Sequence, residues 1–226
     1  MLDIYLIRHA ESEMNKNSHL ISGRLNETPL SEKGIYQANL LGKRLKDSNV
    51  VFNELYSSIA KRTIETARIV IQHLDYSLDD IIKTTELLEL DQGEWEGKPR
   101  EEIYTPEVLA QITSDNWNFT PPCGESQRAV EERMLRWVNK NLTLRYSEGL
   151  TVGIFTHIMS IKCLLRGIMD FSPTLTYKVN IDNTSITRLK YTNLGWHLVT
   201  VNDTAHLYSS ASKSEQNKKI GKENEK

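Results

Sequence analysis

The chain has 226 residues, 38% apolar and 26% charged, which suits one α/β domain with a sizeable core. Its formal net charge of -2 gives no global field to recruit nucleic acid or an anionic membrane. Its two cysteines, Cys123 and Cys163, lie far apart without metal-ligand spacing, which argues against a disulfide scaffold and points to a reducing, cytoplasmic setting.

The N-terminus Met1-Leu2-Asp3 carries no basic segment, so no signal or transit peptide is expected, and no apolar run approaches a membrane span. Asp3 to Ile7 reads as a buried strand, followed by a polar loop from Asn15 to Leu30. Ser31 N-caps a helix that buries Ala38, Leu41 and Leu45. A short strand near Phe52 to Tyr56 precedes a helix capped by Ser58, with Ile64, Ala67, Ile71 and Leu74 on one face. Residues Glu86 to Pro122, rich in Gly, Trp and Pro, predict a small cap with one short helix after Pro99, where Trp95 and Trp117 pack. A long amphipathic helix spans about Glu125 to Tyr146, with Val130, Met134, Trp137 and Val138 inward. Leu150 to Phe155 has no charges and suits a central parallel strand. A helix from Ile158 to Met169 follows, then strands near Tyr177–Ile181, Ser185–Tyr191 and Trp196–Val201. The alternation predicts a three-layer α/β sandwich with a central, mostly parallel sheet over residues 1–207. From residue 208 the composition turns to Ser, Lys, Glu and Asn, which predicts a disordered polar tail over 208–226.

Chemistry concentrates where strands meet helices. Arg8-His9 ends the first strand, at the edge where α/β proteins bind ligands. An Arg offers a planar fork for phosphate oxygens, and a neutral His offers a nitrogen nucleophile. Arg62 falls in the first turn of the second helix, where the dipole favours an anion, although a surface pair with Glu65 is the bland alternative. His157 follows the charge-free strand; it too has a bland reading, as a satisfied histidine at a helix start. Glu89 lies in an acidic loop with Glu86, Asp91, Glu94 and Glu96. Arg24, Lys98 and Arg100 are surface cations by default.

These motifs together resemble the histidine phosphatase superfamily, in the branch of cofactor-dependent phosphoglycerate mutases and their phosphatase relatives. Arg8-His9-Ala10-Glu11-Ser12 is similar to its Arg-His-Gly-Glu-Thr, and Ser58 to Ala67 with Arg62 to its second signature. Leu87 to Gly97, with Glu89, Gly93 and Glu96-Gly97, resembles its acid motif, and His157 its second His. The resemblance implies a phosphohistidine on His9, with Arg8, Arg62 and His157 (as an imidazolium) around the phosphoryl group and Glu89 as acid and base. It also implies that His9 donates from its other nitrogen to a backbone carbonyl. Asn15, Gly23, Arg24 and Ile158 are the expected substrate contacts. No cofactor or metal is implied, and the expected partner is a small phosphorylated metabolite.

Two departures stand out. Ala10 and Ile158 replace glycines that commonly follow the two histidines; the expectation is a narrower pocket rather than backbone strain. Relative to the mutases it resembles, the span from Glu89 to His157 is short, and the cap offers only Lys98 and Arg100 as cations. The expected activity is therefore metal-independent phosphomonoester hydrolysis; a mutase-type transferase and a non-catalytic phospho-ligand binder are the alternatives. A divalent-metal site built from two His and a carboxylate is disfavoured by the adjacent arginines. The oligomeric state is not fixed by the sequence, a homodimer among its options.

Overall fold

In the computed structural model, which describes residues 1–208, chain order is β1 (Leu2–Arg8), α1 (Glu13–Lys16), α2 (Glu32–Asp47), β2 (Glu54–Ser58), α3 (Lys61–Ile71), β3 (Ile81–Thr84), α4 (Arg100–Ile103), α5 (Pro106–Ser114), α6 (Gln127–Asn141), β4 (Thr151–Thr156), α7 (Ile158–Met169), β5 (Ile186–Thr192), β6 (Gly195–Asp203) and α8 (Ala205–Tyr208). The six strands form one sheet in the order β3-β2-β4-β1-β5-β6. The first four run parallel, while β5 and β6 pair antiparallel at one edge.

Strand alternation builds both cores. Leu2, Ile4 and Leu6 of β1 and Val152 and Ile154 of β4 face α6 and α7. Ile7 and Phe155 point the other way, into a core with Leu41 and Leu45 of α2 and Ala67, Val70 and Ile71 of α3. Helices thus cover both faces of a mostly parallel sheet, the three-layer arrangement the alternation predicts. No helix of the described residues is long and apolar enough to cross a membrane.

Several local expectations need correction. Ser31 does cap α2, its side chain accepting from Gly34 N. The cap of α3, however, is Ala60, without a side-chain bond; β2 runs through Ser58, whose hydroxyl accepts from Ala60 N at 3.2 Å and also meets His157. Leu74 lies beyond the end of α3, and Ile64 is only half-buried because Arg62, Thr63 and Thr66 take the inward positions. The long helix is shorter than expected: Ser126 caps it, and it ends at Asn141, before a 3₁₀ stretch from Thr143 to Glu148. Residues Tyr177–Ile181 form no strand; Pro173 opens a 3₁₀ stretch instead. The edge strand β3 and the cap helix α5 were not expected. The tail expectation lies, beyond Tyr208, outside the described residues.

Candidate active site

The parallel pairing of β1 and β4 places the two histidines together. Arg8 is in register with Thr156, so the next residues, His9 and His157, leave the sheet side by side. His9 N donates to Thr156 O at 3.0 Å, and the imidazole centroids stand 5.2 Å apart, edge to face. β2, on the other side of β4, delivers Ser58 and, just beyond it, Arg62. Three strand ends thus converge at the carboxyl edge of the sheet.

The tautomers follow from the hydrogen bonds. His9 Nδ1 lies 2.7 Å from Ala10 O; a carbonyl only accepts, so Nδ1 carries the proton. The opposite nitrogen, Nε2, is left unprotonated and without a hydrogen-bond partner among the described residues, in a side chain that lines a narrow pocket of about 40 Å³. Burial, then the Arg62 and Arg8 cations, push His9 well below its ordinary 6.5, against the opposing Ala10 carbonyl. His157 is also fixed: Arg62 Nη2 can only donate, so Nδ1 accepts from it at 3.2 Å, and Nε2–H donates to Ser58 Oγ at 2.8 Å. Burial and Arg62 push His157, too, well below 6.5. It is therefore a neutral imidazole, not the imidazolium the sequence suggested, and it stands behind the pocket rather than on its wall.

Arg62 forms no ion pair with Glu65, whose carboxylate instead accepts from Leu30 N at 2.8 Å. The Arg62 guanidinium binds the carbonyls of Gly23, Arg24 and Leu25 at 3.2, 2.8 and 3.1 Å. Arg8 donates to Ile181 O at 2.7 Å, while its buried Nε has no partner among the described residues. Burial pushes both guanidinium groups down, with the Glu89 carboxylate opposing. The pocket therefore holds two desolvated cations, a setting that favours an anion.

Glu89 also lines the pocket, and three backbone approaches hold it. Its Oε1 accepts from Leu90 N at 2.8 Å and Met159 N at 3.1 Å, and Oε2 from Met159 N at 3.3 Å. Its competitors lie elsewhere: Glu96 accepts from Arg24 N, Leu25 N and Gln92 N, at 2.6, 3.1 and 3.2 Å. Glu96 thus organises the pocket loop, whose Gly23 has φ of +47°.

Of the expected substrate contacts, Asn15, Gly23 and Ile158 line the pocket. Asn15 Oδ1 accepts from Ser12 N and Asn183 Nδ2, at 3.0 and 3.3 Å, which leaves its amino group without a partner among the described residues. Arg24 does not line it. Its guanidinium is held by Asp91 at 3.1 Å and Glu125 at 3.0 Å, two carboxylates strong enough to turn it away. Neither Ala10 nor Ile158 has positive φ. Ile158 lines the pocket, but Ala10 does not: its methyl packs behind the site against Leu30 and Ala38.

Two positioning residues, Arg133 and Asn183, and one lysine near the site escaped the sequence reading. Arg133, buried on α6, donates to Glu86 O, Leu88 O and Glu89 O, at 2.7, 2.7 and 3.1 Å, and so pins the segment carrying Glu89. Its signal was an arginine inside the apolar stripe of Val130, Met134 and Trp137. Lys162 breaks the stripe of α7 in the same way. Asn183 donates to His9 O at 2.9 Å from a loop with no sequence signal. In the cap, Trp95 packs with Tyr104 and Phe119, and Trp117 lies 3.9 Å under the Arg166 guanidinium. Among the described residues no group of three or more His, Cys, Asp or Glu could hold a metal ion.

Comparison with known proteins places the site in a family. Residues 4–204 match the histidine phosphatase superfamily (branch 1), and the chain belongs to it. It is 31% identical to a probable phosphoglycerate mutase GpmB of Proteus mirabilis over 215 residues, 92% of this chain and 95% of that protein. Among solved structures it is similar to Bacillus stearothermophilus YhfR, with a TM-score of 0.79 and 29% identity over 91% of this chain and 99% of the other. It is also similar to an Entamoeba histolytica phosphoserine phosphatase in complex with 3-phosphoglyceric acid, with a TM-score of 0.78 and 25% identity over 92% and 100% of the two chains.

Proposed function

We propose that this superfamily member hydrolyses small phosphate monoesters through a phosphohistidine on His9, without a metal ion. The observation that carries this reading is the His9 tautomer. Nδ1–H is committed to Ala10 O, so the free lone pair lies on Nε2, in a pocket flanked by two arginines and a carboxylate. In this reading Nε2 attacks phosphorus in line, and the bond to the ester oxygen breaks. Arg8 and Arg62 stabilise the charge on the equatorial oxygens. Glu89 enters the cycle protonated and gives that proton to the leaving oxygen. It then takes one from water, whose oxygen attacks phosphorus and breaks the phosphorus–nitrogen bond. His157 keeps Arg62 and His9 in place and does not add charge. Asn15 contributes its free amino donor to the phosphoryl oxygens.

The name of the Proteus mirabilis relative favours a second reading, a mutase that returns the phosphoryl group to its product. The two part in one assay. Phosphate release and 3-phosphoglycerate isomerisation are measured together, with and without a bisphosphate primer. Hydrolysis predicts primer-independent phosphate release; fast primer-dependent isomerisation with negligible release would establish the mutase instead.

A further inference from the structure

Beside the phosphate pocket lies a second, larger cavity of about 290 Å³. The two share Ser22, Gly23, Glu89 and Ile158, so the organic part of an ester bound at His9 can enter this adjoining space. Lys162 lines that cavity. It is 7% exposed, and its Nζ makes no hydrogen bond or ion pair among the described residues, not even with Glu89. Its Nζ is not sealed from the cavity, so a ligand can reach it, and an ammonium partly withdrawn from water without an acceptor is costly where the sequence has cheaper residues for a helix face. Its position is directed as well. Lys162 follows Ile158 by four residues on α7, so both lie on one helix face, and helical side chains lean toward the N-terminus, here toward His157 and the phosphate pocket.

We propose that Lys162 recognises a carboxylate on the substrate, so that the preferred esters carry one carboxylate close to the phosphate. This rests on the phosphoester reading above. With Glu89 carrying the proton it gives to the leaving oxygen, the Lys162 ammonium balances a monoanion; a second dianionic phosphate would leave excess negative charge in a space largely withdrawn from water. Burial, with Arg8 nearby, pushes the Lys162 ammonium below its ordinary value, with Glu89 opposing, and a bound carboxylate relieves that cost. Arg100 also borders the cavity, but it is exposed, so water screens its charge, and its Nε is committed to Ser18 O at 2.8 Å.

The test compares 3-phosphoglycerate with glycerol 3-phosphate, which differ in the carboxylate. It uses kcat/KM for phosphate release and, independently of turnover, calorimetric binding to His9→Ala. The wild-type chain should favour 3-phosphoglycerate by about tenfold or more. Lys162→Met, which keeps most of the stem and removes only a buried charge, should bring that ratio toward one in both readouts, and Lys162→Arg should restore part of it. A ratio unchanged in Lys162→Met overturns the proposal. So does a stronger, Lys162-dependent preference for propane-1,3-diol bisphosphate, which carries a second phosphate. If neither ester nor vanadate binds, the phosphoester reading itself fails and takes the carboxylate subsite with it.

Discussion

Arg62 Nη2 donates to His157 Nδ1 across 3.2 Å, and this single bond fixes His157 as a neutral imidazole. A protonated Nδ1 would set two donors against each other in a fully buried site. Among the described residues that line the pocket, the positive charge therefore comes from Arg8 and Arg62, and the two histidines stay neutral where free imidazole would be protonated.

That neutrality carries a stability prediction. His9 and His157 are held well below 6.5, and burial pushes His206 down to about 4. Above their unfolded value near 6.5 neither state binds these protons, and the full stability is present. Below it the unfolded chain takes up protons that the folded chain refuses, so stability falls with pH. Each histidine costs up to about 1.4 kcal/mol per pH unit in that window. Urea melts at pH 7.5 and 5.5 should show a clear drop in midpoint. A flat midpoint over that range would mean that the histidines take up protons in the fold.

The pocket loop depends on Glu96. Its carboxylate accepts from three backbone N–H groups, and a Cβ on Gly23, already at φ of +47°, would overlap Glu96 Oε1. Glu96→Ala should orphan those donors, at about 1–3 kcal/mol for each one that water does not reach. Gly23→Ala should displace the same carboxylate and strain the backbone. Both variants should lose catalytic efficiency by roughly tenfold or more, and the double variant should lose less than the product of the two, because they break one contact. Full additivity would separate Gly23 from Glu96.

Glu89, not Glu86, is the expected acid and base. Glu89 lines the pocket, whereas Glu86 contributes its carbonyl to Arg133. Glu89→Gln should cost about 10²–10⁴-fold on an alkyl phosphate and less on nitrophenyl phosphate, whose leaving group needs little protonation. The same pattern in Glu86→Gln, and not in Glu89→Gln, would reverse the assignment.

How far the sequence reaches is clear from particular residues. His9, Arg62 and His157 were legible because each follows a strand, and parallel pairing brings the ends of neighbouring strands together. The α7 boundaries were legible from its apolar period. Arg24 was misread because its partners, Asp91 and Glu125, approach only in three dimensions. Ala10 was misread because a side chain beside the nucleophile can point behind it. Lys162 and Arg133 left a signal, a cation within an apolar stripe, but only the fold shows what surrounds it. β3 was missed because two of its four residues are exposed, which blurs an apolar run.

The central claim, a phosphohistidine on His9, is tested most directly by acid-labile labelling. The wild-type chain is mixed with a substrate carrying an isotopically labelled phosphoryl group, quenched within the first turnover, and mapped by peptide. The expected result is alkali-stable, acid-labile label on the peptide containing His9, and none in His9→Ala, with turnover lower by several orders of magnitude. Equal labelling of His9→Ala, or undiminished phosphate release from it, would contradict the account.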